Sequence, residues 1–157
     1  MSEISSAPYY KMNLIRLADF TLEQYNGTLL KVSFNATYEG VGGVRASDLL
    51  HSNLILAYVK IVGGTPNNPR FTPTVKRVPY FYYSSSTRWL VKSVYDDSID
   101  PIDISLERGA WNSGETLSLV VEFDRDDSPY FDPTMGFGYF YILLDLPTGA
   151  CGVMVVK

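Results

Sequence analysis

The chain has 157 residues, enough for one domain that buries roughly two-thirds of its unfolded surface. Its formal net charge is −4 and its acidic groups are bunched, so the basic stripe that phosphate binding needs is absent and nucleic acid is excluded as the main partner. No apolar stretch reaches the roughly 20 residues of a membrane span, and no signal peptide is recognisable.

In chain order, residues 1–8 read as a flexible arm, and Tyr9 to Leu17 alternates imperfectly, with Tyr10, Met12 and Leu14 on one face. This arm, residues 1–17, is suited either to joining its own sheet or to pairing with a neighbouring subunit. Asp19 to Tyr25 reads as a short helical turn or a connection. From Thr28 to Tyr38 the alternation is clear: Leu30, Val32, Phe34 and Ala36 face one way, while Lys31, Ser33, Asn35 and Thr37 face the other. That is a half-buried strand with a wet face. Gly40 to Gly43 breaks the chain, and Arg45 to His51 reads as one helical turn.

Asn53 to Val62 is apolar on both faces, which predicts a central strand. Gly63 to Pro73 reads as a long turn-rich loop, too dense in proline for a ladder. Val75 to Tyr83 is a strand that Pro79 pushes toward an edge or a bulge, and Arg88 to Tyr95 returns after Ser84-Ser85-Ser86. Ile102, Ile104 and Leu106 alternate with Asp103, Ser105 and Glu107 in a further strand. Asn112-Ser113-Gly114 is a turn before a strand from Thr116 to Phe123, and Asp124 to Thr134 is a polar loop. Finally Gly136 to Leu146 and Gly152 to Lys157 flank Pro147-Thr148-Gly149 as a hairpin, too apolar for a water-exposed edge and so expected mid-sheet.

Eight or nine short, evenly spaced strands with almost no helical periodicity predict one antiparallel β-sandwich of jelly-roll or immunoglobulin-like type. The single Cys151 cannot form an intramolecular disulfide and is expected as a small core residue.

Two acidic clusters are the candidate metal ligands: Asp96, Asp97, Asp100 and Asp103, then Asp124, Asp126, Asp127 and Asp132. Loops with several carboxylates and backbone carbonyls suit the oxygen-rich shell of Ca²⁺, although neither has EF-hand spacing, and such residues also make ordinary turns. Paired acids facing across a cleft would suit a glycosidase, but loop clusters beside prolines do not form one. His51 lacks any nucleophile signature around it and reads as a loop residue. Asn26-Gly27-Thr28 and Asn35-Ala36-Thr37 are sequons, so Asn26 and Asn35 are candidate glycan sites, with Asn35 on a wet face.

Aromatics make up 14% of the chain, twelve of them Tyr. Because Tyr80 to Tyr83 are consecutive, alternate rings point away from the sheet. Tyr80 and Tyr82, with Tyr9, Tyr10, Met12 and Leu14 of the arm, are therefore expected at a subunit interface. Exposed tyrosines also stack on sugars, so a calcium-dependent carbohydrate-binding module is a competing expectation.

The acidic loops, sequons, tyrosine-rich strands, arm and the turn-and-strand Gly114-Glu115-Thr116-Leu117-Ser118-Leu119-Val120-Val121 resemble extracellular filament subunits of archaea. These include cannula-type tube proteins and the β-sandwich domains of pilins and archaellum components, although the long N-terminal helix of pilins is missing. For cannula-type subunits the resemblance implies strand donation between copies and calcium-assisted assembly. The expected function is thus a non-enzymatic structural subunit of a homopolymer outside the cell or at its surface. A jelly-roll capsid or decoration protein of a virion is the alternative.

Overall fold

The computed structural model describes residues 12–25, 29–80, 86–95, 108–131 and 138–156. The alternation read from Leu30 onward folds as expected: Leu30, Val32, Phe34, Ala36 and Tyr38 are buried, and Lys31, Asn35 and Thr37 lie half-buried on the opposite side. Equivalent patterns generate β1 (Met12–Asn13), β2 (Ile15–Tyr25), β3 (Leu30–Tyr38), β4 (Gly43–Arg45), β5 (Asn53–Thr65), β6 (Asn68–Val78), β7 (Arg88–Tyr95), β8 (Ala110–Asn112), β9 (Thr116–Glu122), β10 (Gly138–Asp145) and β11 (Ala150–Val156). Two short helices, α1 (Ala46–Leu50) and α2 (Ser128–Phe131), complete the described elements.

The strands form an antiparallel β-sandwich. One sheet has the order β1-β11-β10-β5-β6, the other β2-β3-β9-β7, and β4 pairs with β8 separately. Set side by side, β2-β3-β9-β7 and β11-β10-β5-β6 reproduce the ABED and GFCC′ orders of an immunoglobulin-like sandwich, which decides between the two architectures expected. No disulfide crosses the core, since Cys151 is free. Aromatic packing takes its place. Phe131 of α2 lies 5.2 Å from Phe123 and 6.2 Å from Phe140, whose ring also meets Phe20 at 5.4 Å. Helix α2 touches β3 of one sheet and β5 of the other, so Phe131 plugs the space between them. Trp89 and Trp111 are fully buried further along.

Three expectations are corrected. Asp19 to Tyr25 is not a helical turn but the second half of β2, which reaches this length through register shifts after Ala18 and Leu22. The first shift is taken up by Asp19 at φ 59°, a left-handed conformation that aspartate tolerates better than most residues. Gly63 to Pro73 is not a loop either. It is the tip of the β5–β6 hairpin, with Pro69 opposite Gly64 and Pro73 opposite Val59. Proline is accepted there because β6 is the last strand of its sheet and one row of its donors has no ladder to join. Third, β10 is an interior strand as expected, but β11 is not. Among the described residues its outer neighbour is only the two-residue β1, so Gly152–Val156 runs along an open edge. The strand expected over Ile102 to Glu107 lies outside the described residues.

The N-terminal strand joins both sheets. Met12 and Asn13 pair in parallel with Ala150 and Cys151, and from Ile15 the chain pairs with β3 in the other sheet. The crossing runs directly over Gly152, where a Cβ would stand 2.5 Å from the Ile15 carbonyl oxygen and 2.9 Å from its Cβ. The obstructing atoms belong mainly to backbone, which cannot swing aside. Gly152→Ala should therefore cost about 2 kcal/mol, read as a lower urea midpoint with an unchanged slope; an unaltered midpoint would contradict so close a crossing.

Candidate functional site

The polar loop after β9 is built as a clasp. Asp124 Oδ1 accepts the backbone N–H of Asp127 at 2.7 Å, and the Asp124 carbonyl accepts from the Ser128 backbone N–H at 3.0 Å. The Ser128 hydroxyl also donates to that carbonyl and in turn accepts the Leu30 backbone N–H at 3.0 Å. Thr87 ties the loop to the start of β7, donating its hydroxyl to Asp127 Oδ2 and accepting the Asp124 backbone N–H. Lys76 of β6 reaches the same Asp127 oxygen at 2.8 Å. Burial on its own would raise the Asp127 carboxyl. The hydrogen bonds from Lys76 and Thr87 and the Lys76 charge outweigh burial and hold it below its ordinary value. Asp127 thus links β6, β7 and the β9–α2 loop.

This arrangement engages two of the carboxylates expected as metal ligands. Asp124 caps the turn, Asp127 is ion-paired, and Asp126 is exposed to solvent. Among the described residues no three His, Cys, Asp or Glu side chains converge to hold a metal ion. Asp96, Asp97, Asp100, Asp103 and Asp132 lie outside the described residues, as do Tyr9, Tyr10, Tyr82 and Asn26.

The two outer faces of the sandwich differ chemically. On the β2-β3-β9-β7 face, Glu122 pairs with Lys31 at 3.6 Å and with Arg88 at 3.3 Å, and Glu23 sits 3.6 Å from Lys92. Glu23 also accepts the Ser33 hydroxyl at 2.6 Å; that bond first, then the Lys92 charge, lowers its carboxyl from the ordinary range. Asn35 lies on this face as expected, its amide donating to Asp19 Oδ2 at 2.9 Å, and the third sequon residue Thr37 is bonded to Thr116 at 2.7 Å. A shallow groove at one end is lined by Gln24, Lys31, Arg88, Glu122 and Arg125.

The β11-β10-β5-β6 face is apolar. Strand register aligns Val155, Tyr141, Ala57 and Val75 in one row and Val153, Leu143, Ile55 and Arg77 in the next. Tyr139, Val59 and Pro73 make a third row, and Cys151, Asp145 and Asn53 close the other end. None of these side chains is buried: Val75 is 65% exposed, Val153 57%, Val155 46% and Tyr141 37%. Cys151 is therefore half-exposed on an outer face rather than a core residue, because the β11 pleat points it away from Gly152 and Ala150.

Among the residues expected at an interface, Met12 is 47% exposed and Leu14 packs partly against the core. Both belong to the stretch that pairs within its own chain, which leaves residues 1–11 of the arm outside the described structure. Tyr80 is corrected: it is buried, its ring 4.8 Å from Trp89 in an edge-on contact, because it continues the inward parity of Val78 and bridges to Trp89. His51 is exposed after α1, its Nδ1 donating to the Ser47 carbonyl at 2.8 Å. Glu115 carries no sequence signal, yet it is buried and staples the β8–β9 turn by accepting the Asn112 backbone N–H, while its own carbonyl accepts the Trp111 indole at 2.8 Å.

No protein-family model matches the chain, and no curated protein matches it in sequence. Among solved structures it is similar to the archaellum periplasmic stator protein complex FlaF and FlaG from Sulfolobus acidocaldarius, at TM-score 0.55 and 14% identity, over 92% of this chain and 90% of that one. Weaker likenesses are to the sporulation control protein Spo0M from Bacillus subtilis (TM-score 0.41, 13% identity, 92% of this chain, 48% of that one) and to β-glucosidase 3B from Thermotoga neapolitana (0.35, 12%, 92% and 16%). At such identities the first likeness shows a shared β-sandwich fold.

The Asp127 clasp has a definite pH signature. Its stabilisation is complete above the unfolded carboxylate pKa of about 3.9 and is lost as pH falls through the lower folded value. Asp127→Asn should lower stability by about 1–2 kcal/mol at neutral pH and converge with the parent near pH 2 in chemical denaturation. A difference that persists unchanged at low pH would assign the loss to something other than the carboxylate charge.

Proposed function

We propose that this protein is a non-enzymatic structural subunit of an extracellular or cell-surface assembly, in which one copy adds a strand to the next. The observation that carries this reading is the open edge of β11. Among the described residues, Gly152–Val156 offers an unpaired row of main-chain donors and acceptors beside an apolar sheet, the geometry that accepts an added strand. β1 runs parallel to β11 with Met12 beside Ala150, so the residue at which the arm joins the described chain lies at the Pro147–Gly149 end of β11. A neighbouring copy is then the natural recipient, and such head-to-tail contacts build filaments or tubes.

The backbone likeness to a component of an archaellum stator complex agrees with a surface-assembly role and with the resemblance carried by the sequence. The polar β2-β3-β9-β7 face, with Asn35 upon it, is suited to remain in water and to carry a glycan. A calcium contribution would rest on Asp96, Asp97, Asp100, Asp103, Asp126 and Asp132, since Asp124 and Asp127 are committed to the clasp.

Negative-stain imaging of concentrated protein should show filaments or tubes, and removing residues 1–11 should abolish them while cooperative melting survives. A synthetic peptide of residues 1–11 should shorten the polymers by competing for the edge. Polymers of the truncated protein would refute strand donation, and closed shells would favour the virion reading. Calcium binding by the folded subunit would raise the melting temperature with calcium concentration by mass action; a flat titration would remove calcium from the scheme.

A further inference from the structure

We infer that the apolar β11-β10-β5-β6 face docks a second copy of this chain, face to face, about a two-fold axis parallel to the strands between β10 and β5. In a chain acting as a subunit, as proposed above, this supplies a lateral contact independent of the β11 edge.

The register itself is self-complementary. That axis sets β10 of one copy over β5 of the other, and β11 over β6. Tyr141, the largest side chain of the central row, then lies over Ala57, the smallest in that row, and the reverse contact is made at the same time. Leu143 comes over Ile55 and Val155 over Val75, apolar against apolar, at the spacing of an aligned sheet packing about 10 Å thick. An isologous contact needs this reciprocity, in which residue i meets j and j meets i.

Charge agrees with a like partner. The chain carries −4 overall, but the only charged residues on these four rows are Arg77 and Asp145. The two-fold places Arg77 over Val153 at the margin, where its aliphatic stem covers the valine and the guanidinium reaches water. It places Asp145 over Asn53, an amide donor, and never over another carboxylate. The face spans four strands about 4.8 Å apart and seven residues of β10, roughly 400 Å² in projection. Side-chain relief raises the accessible area toward the about 600 Å² per partner found at the lower end of specific interfaces. The opposite sheet offers no such surface, because its rows are ion-paired.

Sedimentation equilibrium of the chain lacking residues 1–11, from about 1 µM to 1 mM, should resolve a monomer–dimer equilibrium with a dissociation constant on the order of 10–100 µM. Tyr141→Glu should weaken it by at least about tenfold, with a melting temperature close to the parent's because the side chain points outward. In a Cys151→Ser background, Val75→Cys copies mixed with Val155→Cys copies should be joined by a short bis-maleimide far more efficiently than either variant alone, because the two-fold sets these positions over each other and keeps each far from its own copy. A truncated chain that stays monomeric throughout, or a folded Tyr141→Glu variant that dimerises like the parent, would overturn the inference. So would a monomer that sediments with phosphatidylcholine vesicles, which would give the face to a membrane. Failure here with polymers intact leaves strand donation standing, whereas dimers without polymers keep this face and remove strand donation.

Discussion

The structure depends on the place where the N-terminal strand passes from one sheet to the other. Over Asn13 to Ile15 the chain leaves its parallel contact with β11 and begins its antiparallel contact with β3. Nothing but glycine fits at position 152 beneath that crossing. The two sheets are thereby joined at a margin where no disulfide assists, and the residues that close the sandwich come from opposite ends of the chain. The same crossing takes the chain away from β11 after two pairs, which is why the rest of that strand has an open edge among the described residues.

At the other end the sheets are joined by Phe131 and by the Asp127 clasp. The aromatic plug supplies burial, and the clasp supplies direction, since Asp124, Asp127, Ser128 and Thr87 satisfy the polar atoms that the turn would otherwise leave buried. With both ends held, the outer faces are free to differ. One is threaded with ion pairs and hydrogen bonds; the other presents valine, leucine, isoleucine and tyrosine. An exposed apolar face opposite a polar one is the asymmetry that the proposed assembly would use. The functional reading rests on that asymmetry and on the open edge.

Much of this was legible in the residues. The alternation of β3 and β9, the C-terminal hairpin and the helical turn at Ala46–Leu50 follow from local pattern and turn chemistry. The misreadings have physical causes. Pro69 and Pro73 argued for a loop, but the proline penalty depends on whether a strand is central or marginal, and strand order is not local. Asp19 looked like a break because a left-handed residue inside a strand leaves no periodic trace. Among four consecutive aromatics the inward side could not be read locally; Tyr80 keeps the inward parity of Val78 and meets Trp89. At Asp124 to Asp127 the residues showed a cluster of carboxylates, but not that Lys76, about fifty positions earlier, pairs with Asp127.

The sequence by itself determined an all-β sandwich, because period-two alternation and evenly spaced turns leave no other way to bury so many β-branched and aromatic side chains. It also determined which positions of β3 turn to the outer face, although Ser33 there is covered and bonded to Glu23. Only the tertiary structure decided which strands are neighbours, and therefore that the arm's last residues pair at home, that β11 keeps an open edge, and that Tyr141 stands beside Ala57 in a row of apolar side chains. Register joins residues separated by tens to more than a hundred positions, and no local preference encodes it. It emerges from the summed packing of the two inner faces, and the outer faces inherit whatever rows that packing sets.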